Sequence, residues 1–357
     1  LFSFRRKLIK MNEIVDVTII GGGPAGLFAA FYSGLREMNT KIIEYQPMLG
    51  GKVHVYPEKM IWDIGAITPV SGAQLIKQMV EQGLTFEPEV VLGEKVTSIS
   101  QAEQGHFVLN TASGNQHLSK TVILAIGGGI INPTKLDIEG AERFEVTNLH
   151  YTVKSLARFK DKTVLISGGG HSAVDWANEL SLIAGKVYLS YRKEELKAHE
   201  ADVSRLTTNG VECLLNTSIK KLVAGENLSL IETVVLEKNE DGSELNIAVE
   251  EVIISHGFDR DNGFLQNCEV KIEMDSYWIA GTSMSETSVP GIYAAGDILS
   301  YEGKLHLIAG AFQDAANAVN KAKKFVTPDA DAYGMVSSHN ELFTKKNREI
   351  MKDLYKK

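Results

Sequence analysis

Apolar and polar positions along the chain switch between two periods. Residues 14–20 (IVDVTII) are an apolar, β-branched run that stops at Gly21, which predicts a strand buried on both faces. Residues 24–37 carry apolar positions at helical spacing with small residues facing back, and 40–44 (TKIIE) predict a second strand. Together these make a βαβ unit. "SGAQLIKQMVEQG" predicts another helix, and the alternating segments around "KVTSIS" and "HFVLNT" predict strands, with turns at "EQG" and "SGN". "TVILAIGGG" (121–129) is a further buried strand running into a glycine stop, and the chain is expected to cross between domains in the following "IINPTKLDIEG". A second βαβ unit fills 163–191, as strand "TVLISG", helix "SAVDWANELSLIAG" and strand "KVYLSY". Strands continue through "EEVIISHGF", an apolar strand resumes in "SVPGIYAAGDIL" (288–299), and "AFQDAANAVNKAKKF" predicts a helix. The pair of βαβ halves is the one internal repeat.

At 357 residues the chain has the length of two domains of ~150 residues each. Hydrophobic content of 44% and charged content of 23% are ordinary for a globular protein with a sizeable core. A net charge of −8 argues against nucleic acid as the main partner. No apolar run approaches the ~20 residues that span a bilayer, so no membrane partner is expected. The two cysteines, Cys213 and Cys268, match no metal or redox spacing. No metal site is expected, and a reducing cytoplasm is the natural compartment. Residues 1–10 (LFSFRRKLIK) read as an extension ahead of Met11, with no apolar core or cleavage site that would make a signal peptide.

The two glycine turns carry the chemistry. In the first, Gly21, Gly23 and Gly26 satisfy G-x-G-x-x-G around Pro24 and Ala25. Glycine lets the backbone turn tightly and approach a pyrophosphate, and the helix N-terminus then faces the phosphate charge. Glu44, 23 residues after Gly21 and at the end of the next strand, suits an acid that accepts hydrogen bonds from ribose hydroxyls. The second turn runs Gly168, Gly169, Gly170, His171, Ser172, Ala173. Here the position of the acid is Tyr191, followed by Arg192 and Lys193, with Lys197 nearby. A carboxylate would repel a 2′-phosphate, whereas a guanidinium grips one through two parallel hydrogen bonds. The first loop therefore reads as a site for a dinucleotide with a free ribose and the second as an NADP(H) site; the economical pairing is FAD as resident cofactor and NADPH as hydride donor. Asp297 in "GIYAAGDI" supports FAD: in flavoproteins with two dinucleotides such an aspartate holds the ribityl chain, and the next helix aims its N-terminus at the flavin.

"GGGPAG", "GGGHSAVD" and "GIYAAGD" together resemble the thioredoxin-reductase-like flavoproteins over nearly the whole chain from Met11. The resemblance implies an α/β chain of two Rossmann-like, three-layer dinucleotide-binding domains, the FAD domain split by an inserted NADPH domain. The expected boundaries are 1–10 for the extension, 11–127 and 289–335 for the FAD domain, 128–288 for the NADPH domain and 336–357 for a tail over the flavin. Thioredoxin reductases carry Cys-x-x-Cys before the second loop; here 148–162 read "NLHYTVKSLARFKDK", without a thiol. Bacillithiol-disulfide-reductase-like enzymes would place a cysteine in the first loop, where Ala25 stands. "EYQPMLGGKVHVYPEKMIWDIG", "LHYTVKS", "AHE" and "YGMVSSHNELF" instead resemble the ferredoxin (flavodoxin)–NADP reductases of this type.

That resemblance implies electron transfer from NADPH through FAD to ferredoxin or flavodoxin, hydride in and single electrons out, by a homodimer. Glu44 would bind the adenosine ribose, and Lys52 stands where the family often has glutamine. Tyr56 would stack on the isoalloxazine ring, Val96 and Ile131 would line the adenine and flavin sites, and Asp297 would hold the ribityl chain. Ser338 and His339 would cover the other flavin face from the partner subunit. No acid or base is obligatory for hydride transfer. The alternatives are an NADPH oxidase or diaphorase of the same fold, and a non-catalytic NADP(H)-sensing flavoprotein. Docking of an acidic carrier on an acidic chain would need a local basic patch. The tail 341–357 offers Lys345, Lys346, Arg348, Lys352, Lys356 and Lys357.

Overall fold

A computed structural model of the chain describes residues 13–226, 228–261 and 263–354. The extension 1–10 lies outside the described residues, as do Lys356 and Lys357 and the side chains of Lys345 and Lys346. The helices are α1 (Pro24–Leu35), α2 (Gly72–Gly83), α3 (His171–Leu180), α4 (Glu200–Thr208), α5 (Ile308–Val326) and α6 (Thr344–Leu354). Among the described residues no helix is long and apolar enough to cross a membrane.

The chain forms two compact units. The first takes the described residues through His54, then Lys59–Ile130 and Arg260 onward; the second takes Val55–Glu58 and Ile131–Asp259. The sequence reading sets the return to the first unit at residue 289. The structure sets it earlier, because the intervening segment packs on the first unit's core: Cys268 and Ile279 are buried there, and strand Trp278–Ala280 pairs with Leu299–Ser300.

In the first unit, strands Glu89–Leu92, Thr40–Glu44, Val15–Ile20, Gln116–Leu124 and Ile292–Ala294 lie parallel, in that order. A parallel sheet connected by helices needs cover on both faces, which is why its strands are apolar on both sides. Helices α1, α2 and α5 pack together, with α5 also against the sheet. The antiparallel meander of Val96–Gln101, Phe107–Thr111 and the start of Gln116–Leu124 supplies the opposite layer. Its Ile99, Phe107 and Leu109 bury against Ile20, Ile43, Val122 and Leu124 of the parallel sheet. Each such side chain contributes about 1.5–3 kcal/mol by leaving water.

The second unit has a five-stranded parallel sheet in the order Leu149–His150, Glu251–Ile254, Thr163–Ser167, Lys186–Tyr191, Glu212–Leu215. Helices α3 and α4 pack together beside it, and Leu206 joins Val174, Ala177 and Leu180 in one core. A separate antiparallel sheet, Thr217–Ala224, Ile231–Lys238 and Glu244–Ala248, closes a second core with Leu149, Leu165 and Val252.

One buried charge ties the second unit's sheet edge together. Glu251 is 2% exposed, yet its carboxylate meets His150 Nε2 at 2.6 Å, Arg158 Nε at 3.1 Å and Lys162 Nζ at 2.5 Å. Burial pushes this carboxyl up, but hydrogen bonds from His150, Lys162 and Arg158 outweigh it and hold the group at about 2, against an ordinary 4.5. A carboxyl depressed in the fold contributes stability that is complete above its unfolded value and is lost as pH falls through the folded one. Glu251→Gln keeps the shape but takes the carboxylate away from Arg158, Lys162 and the His150 ring, so chemical unfolding at pH 7 should show a loss of about 3 kcal/mol. The wild type should lose its advantage as pH drops from 4.5 toward 2. Equal stability of the two proteins at pH 7 would remove Glu251 as the tie.

Candidate functional site

The first glycine turn is dictated by backbone crowding. Gly21 has φ +105°, and a Cβ there would lie 2.4 Å from Ala125 O. A Cβ on Gly26 would lie 1.9 Å from Gly21 O. Gly23 ends the turn in extended conformation and Pro24, which needs no N–H partner at a first helical position, opens α1. The helix N-terminus is thus left bare of side chains, which suits a phosphate. Glu44, buried, is locked beside it: its Oε2 accepts the Gly22 N–H at 2.6 Å and its Oε1 accepts the Gln46 N–H at 2.7 Å. The acid is aimed at the turn by the backbone itself.

Two further segments close on the same place. Gly50 donates its N–H to Gly22 O at 2.8 Å, and a Cβ on Gly51 would lie 2.7 Å from Gly23 Cα. Sequence reasoning missed this second glycine pair, although "LGGK" was its signal. Lys52 follows in the 3₁₀ turn Gly51–Val55 and is exposed. From the far end of the unit, Gly296 enters at φ +80°, with its Cβ position 3.0 Å from Ala25 Cβ. The first loop and the Gly296–Asp297 turn are therefore neighbours in space. Asp297 is 42% exposed, 3.9 Å from His306 Nδ1.

The remaining expected residues fall elsewhere. Val96 is buried in the core with Ile99 and Phe107. Ile131 lies in strand Ile130–Pro133, and its side chain is outside the described residues. Tyr56 belongs to the short Val55–Glu58 stretch of the second unit and packs against the core containing Val153 and Phe159. Glu58 holds that stretch by accepting the Leu156 N–H. Ser338 and His339 occupy the exposed 3₁₀ turn Ser337–His339.

The second turn repeats the first with different chemistry. Gly168 donates to Ser190 O at 2.9 Å, and a Cβ on it would lie 2.3 Å from Ser255 O. Gly170 precedes α3, which opens on His171 and Ser172, both exposed, while Ala173 is buried against Gly168. Where Glu44 stands in the first half, the Tyr191 ring lies 2.4 Å from a Cβ placed on Gly169. The chain then curls over the loop: Lys197 donates its N–H to Gly169 O at 2.6 Å, and the His199 ring lies 4.6 Å from His171. Sequence reasoning did not assign His199. Arg192, Lys193 and Lys197 are exposed around this turn, and among the described residues no carboxylate pairs with them. Unneutralised cations at a bare helix N-terminus make an anion site.

Both turns fit the dinucleotides expected of them: each leaves a cradle that a Cβ would fill, one beside a carboxylate, the other beside cations. Among the described residues no group of three or more His, Cys, Asp or Glu side chains converges on a metal-sized site.

Comparison with known proteins shows the family. The family described as pyridine nucleotide-disulphide oxidoreductase matches residues 15–322. A relative from Bacillus mycoides (strain KBAB4), named "Ferredoxin--NADP reductase 1", is 64% identical over 98% of this chain and 100% of its own length. "Ferredoxin--NADP reductase 2" of Exiguobacterium sibiricum is 58% identical over 97% of this chain and 99% of its own. Among solved structures, the thioredoxin reductase of Lactococcus lactis superposes with a TM-score of 0.71 at 26% identity, over 88% of this chain and 99% of that one.

The cationic turn generates a direct test. Arg192→Ala combined with Lys193→Ala should weaken NADPH binding about tenfold or more, since each lost hydrogen bond between charged groups is worth about 1.5–3 kcal/mol. NADH binding should stay within about twofold. Equal losses for the two nucleotides in a binding titration would show that these cations do not read the 2′-phosphate.

Proposed function

The chain belongs to the pyridine nucleotide-disulphide oxidoreductase family, and from that premise we propose that it is a ferredoxin–NADP reductase, carrying electrons from NADPH through FAD to ferredoxin. The single observation that carries this reading is the pairing of two like-shaped glycine turns with unlike charge. Glu44 is fastened to the first by Gly22 N–H, and Arg192, Lys193 and Lys197 surround the second. Bound FAD supplies a two-electron acceptor for hydride that can release electrons one at a time. The protein binds and orients. Gly21, Gly23 and Gly26 admit the pyrophosphate, Glu44 takes the ribose, and Asp297 is the residue placed for the ribityl hydroxyls. Gly168, Gly170 and the α3 N-terminus hold the second nucleotide. No side chain is required to move a proton, so the rate depends on positioning.

Thiol chemistry has no place in the scheme. Cys213 and Cys268 lie in different units, and burial pushes both thiols up, away from the reactive thiolate form. Two isolated, protonated thiols fit a cytoplasmic enzyme, and flavodoxin, a one-electron carrier of similar acidity, is a second acceptor in this reading. Docking falls to local basic surface, such as exposed Arg348 and Lys352 one turn apart on α6. Anaerobic NADPH should bleach the flavin, and added ferredoxin should restore its colour at a rate that falls steeply with salt. Restoration by oxygen alone would favour the oxidase alternative, and no bleaching would favour the sensor.

The tail supports a homodimer. Asn340 donates to Leu35 O at 3.5 Å and the Phe343 ring lies 5.4 Å from Phe86, which anchors the tail at the C-terminal end of α1. The glycine turn lies at the other end, about 18 Å away along a helix that rises 1.5 Å per residue. Tyr333, Met335, Val336, Ile350 and Met351 are exposed beside or beyond it, an apolar set suited to a second copy. In this reading His339 is the side chain that faces the flavin ring, from the partner subunit, with Ser338 beside it. His339→Ala should retain FAD while changing ferredoxin turnover severalfold. A monomer in sedimentation, or FAD loss with unchanged turnover per flavin, would overturn this arrangement.

A further inference from the structure

Asp314, in the middle of α5, has no solvent exposure, and both oxygens of its carboxylate are engaged. Its Oδ2 accepts the Gly296 N–H at 3.0 Å and also a hydrogen bond from Lys304 Nζ, itself only 4% exposed. Its Oδ1 accepts the Tyr301 hydroxyl at 2.9 Å, and its backbone oxygen accepts Ser285 Oγ at 2.8 Å. Burial and the hydrogen bond to Asp314 push the Tyr301 phenol up to about 12, so it stays a donor at any working pH. Burying an ion pair costs several kcal/mol of desolvation, and apolar residues of similar volume often do as well or better for stability. Stability alone therefore gives a weak reason for the pair.

Its location gives a stronger one. Gly296 sits at φ +80°, with its Cβ position against Ala25 of the first glycine turn, and Asp297 is the next residue. An apolar side chain at 314 could fill the space but could not accept the Gly296 N–H. A lone carboxylate could accept it, but would put a net negative charge beside a cofactor that carries phosphates. Lys304 cancels that charge.

We propose that Asp314 is a positioning residue for the FAD site: it pins the Gly296–Asp297 turn against the glycine loop, with Lys304 keeping the pin neutral. This inference rests on the FAD reading of the first loop. Asp314 itself touches no reacting group; it acts through the backbone of Gly296 and the direction of Asp297.

Two neutral double variants separate pinning from packing. Lys304→Met with Asp314→Asn removes both charges but keeps an oxygen for Gly296 N–H. Lys304→Met with Asp314→Leu removes that oxygen as well. Apoprotein of each is titrated with FAD by quenching of flavin fluorescence, the visible circular dichroism of the bound flavin is recorded, and thermal unfolding is followed without FAD. The Asn double variant should bind FAD within about threefold of wild type. The Leu double variant should unfold within a few degrees of the Asn one, yet bind FAD about tenfold more weakly, the equivalent of one lost hydrogen bond to a charged or buried partner. Its flavin dichroism should also change. Wild-type affinity and dichroism in the Leu variant would overturn the inference, as would equal weakening in both variants. Should the Leu variant fail to fold, Asp314→Ala with Lys304→Met takes its place under the same criterion. Failure of the wild-type chain to bind FAD would sink the reading of the loop instead, a distinct outcome.

Discussion

A methyl group on residue 26 would sit 1.9 Å from the carbonyl oxygen of Gly21, and one on residue 21 would sit 2.4 Å from that of Ala125. Backbone is pressed against backbone where the first strand becomes the first helix, and the rest of the first unit's candidate site depends on that approach. The crowding forces glycine, and glycine leaves the N-terminus of α1 uncovered. The second half obeys the same constraint: Gly168 would strike Ser255 O, just past the end of strand Glu251–Ile254, as Gly21 would strike Ala125 O past the end of Gln116–Leu124. In each half the turn is wedged between its own helix and the end of the neighbouring parallel strand, where ligands of open parallel sheets bind.

Because the scaffold repeats, the distinction between the two nucleotides falls on side chains at one joint. At the end of strand Thr40–Glu44 the joint carries a carboxylate bonded to Gly22 N–H. At the end of strand Lys186–Tyr191 it carries an uncharged ring against Gly169. A ring cannot bond ribose hydroxyls as an acid does; past it stand Arg192 and Lys193, and Lys197, which the Gly169 carbonyl draws back over the turn, and in the proposed function selection passes to them. Charge, rather than shape, separates a free ribose from a phosphorylated one.

Much of this was legible in the chain. Strands such as IVDVTII announce burial on both faces, and the glycine spacings mark the turns with the acid or the cations in register. What escaped has a physical character in common: contacts between residues distant in sequence that look ordinary in isolation. Lys41 sits in the predicted strand TKIIE, yet it is 1% exposed, 3.4 Å from Glu89 and 3.5 Å from His117 Nδ1. Burial and the Lys41 charge lower the His117 imidazole, so the lysine gains a neutral neighbour. Nothing in TKIIE discloses partners on the Glu89 strand and at residue 117. Asp314 is equally silent within "AFQDAANAV". The return crossing was misplaced for the same reason: residues 263–288 have no strong period of their own and are held by the first unit's core through Cys268 and Ile279.

The two halves also differ in how they treat charge, and the difference matches what each must do with its ligand. A resident cofactor benefits from a site fixed before it arrives, since every group already held still is entropy not lost on binding. The half proposed to hold FAD is built that way: Glu44 is tied by two backbone N–H groups, and Lys304 and Asp314 are buried as a paired joint behind the Gly296–Asp297 turn. A nucleotide that must arrive and depart at every turnover benefits from charge that reaches into solvent, which speeds encounter without locking the complex. Arg192, Lys193 and Lys197 stand exposed in that manner. In the second unit the buried carboxylate of Glu251 sits at the sheet edge beside His150, away from the glycine turn at the strands' other ends. The buried ion cluster and the proposed nucleotide turn thereby lie at opposite ends of one sheet.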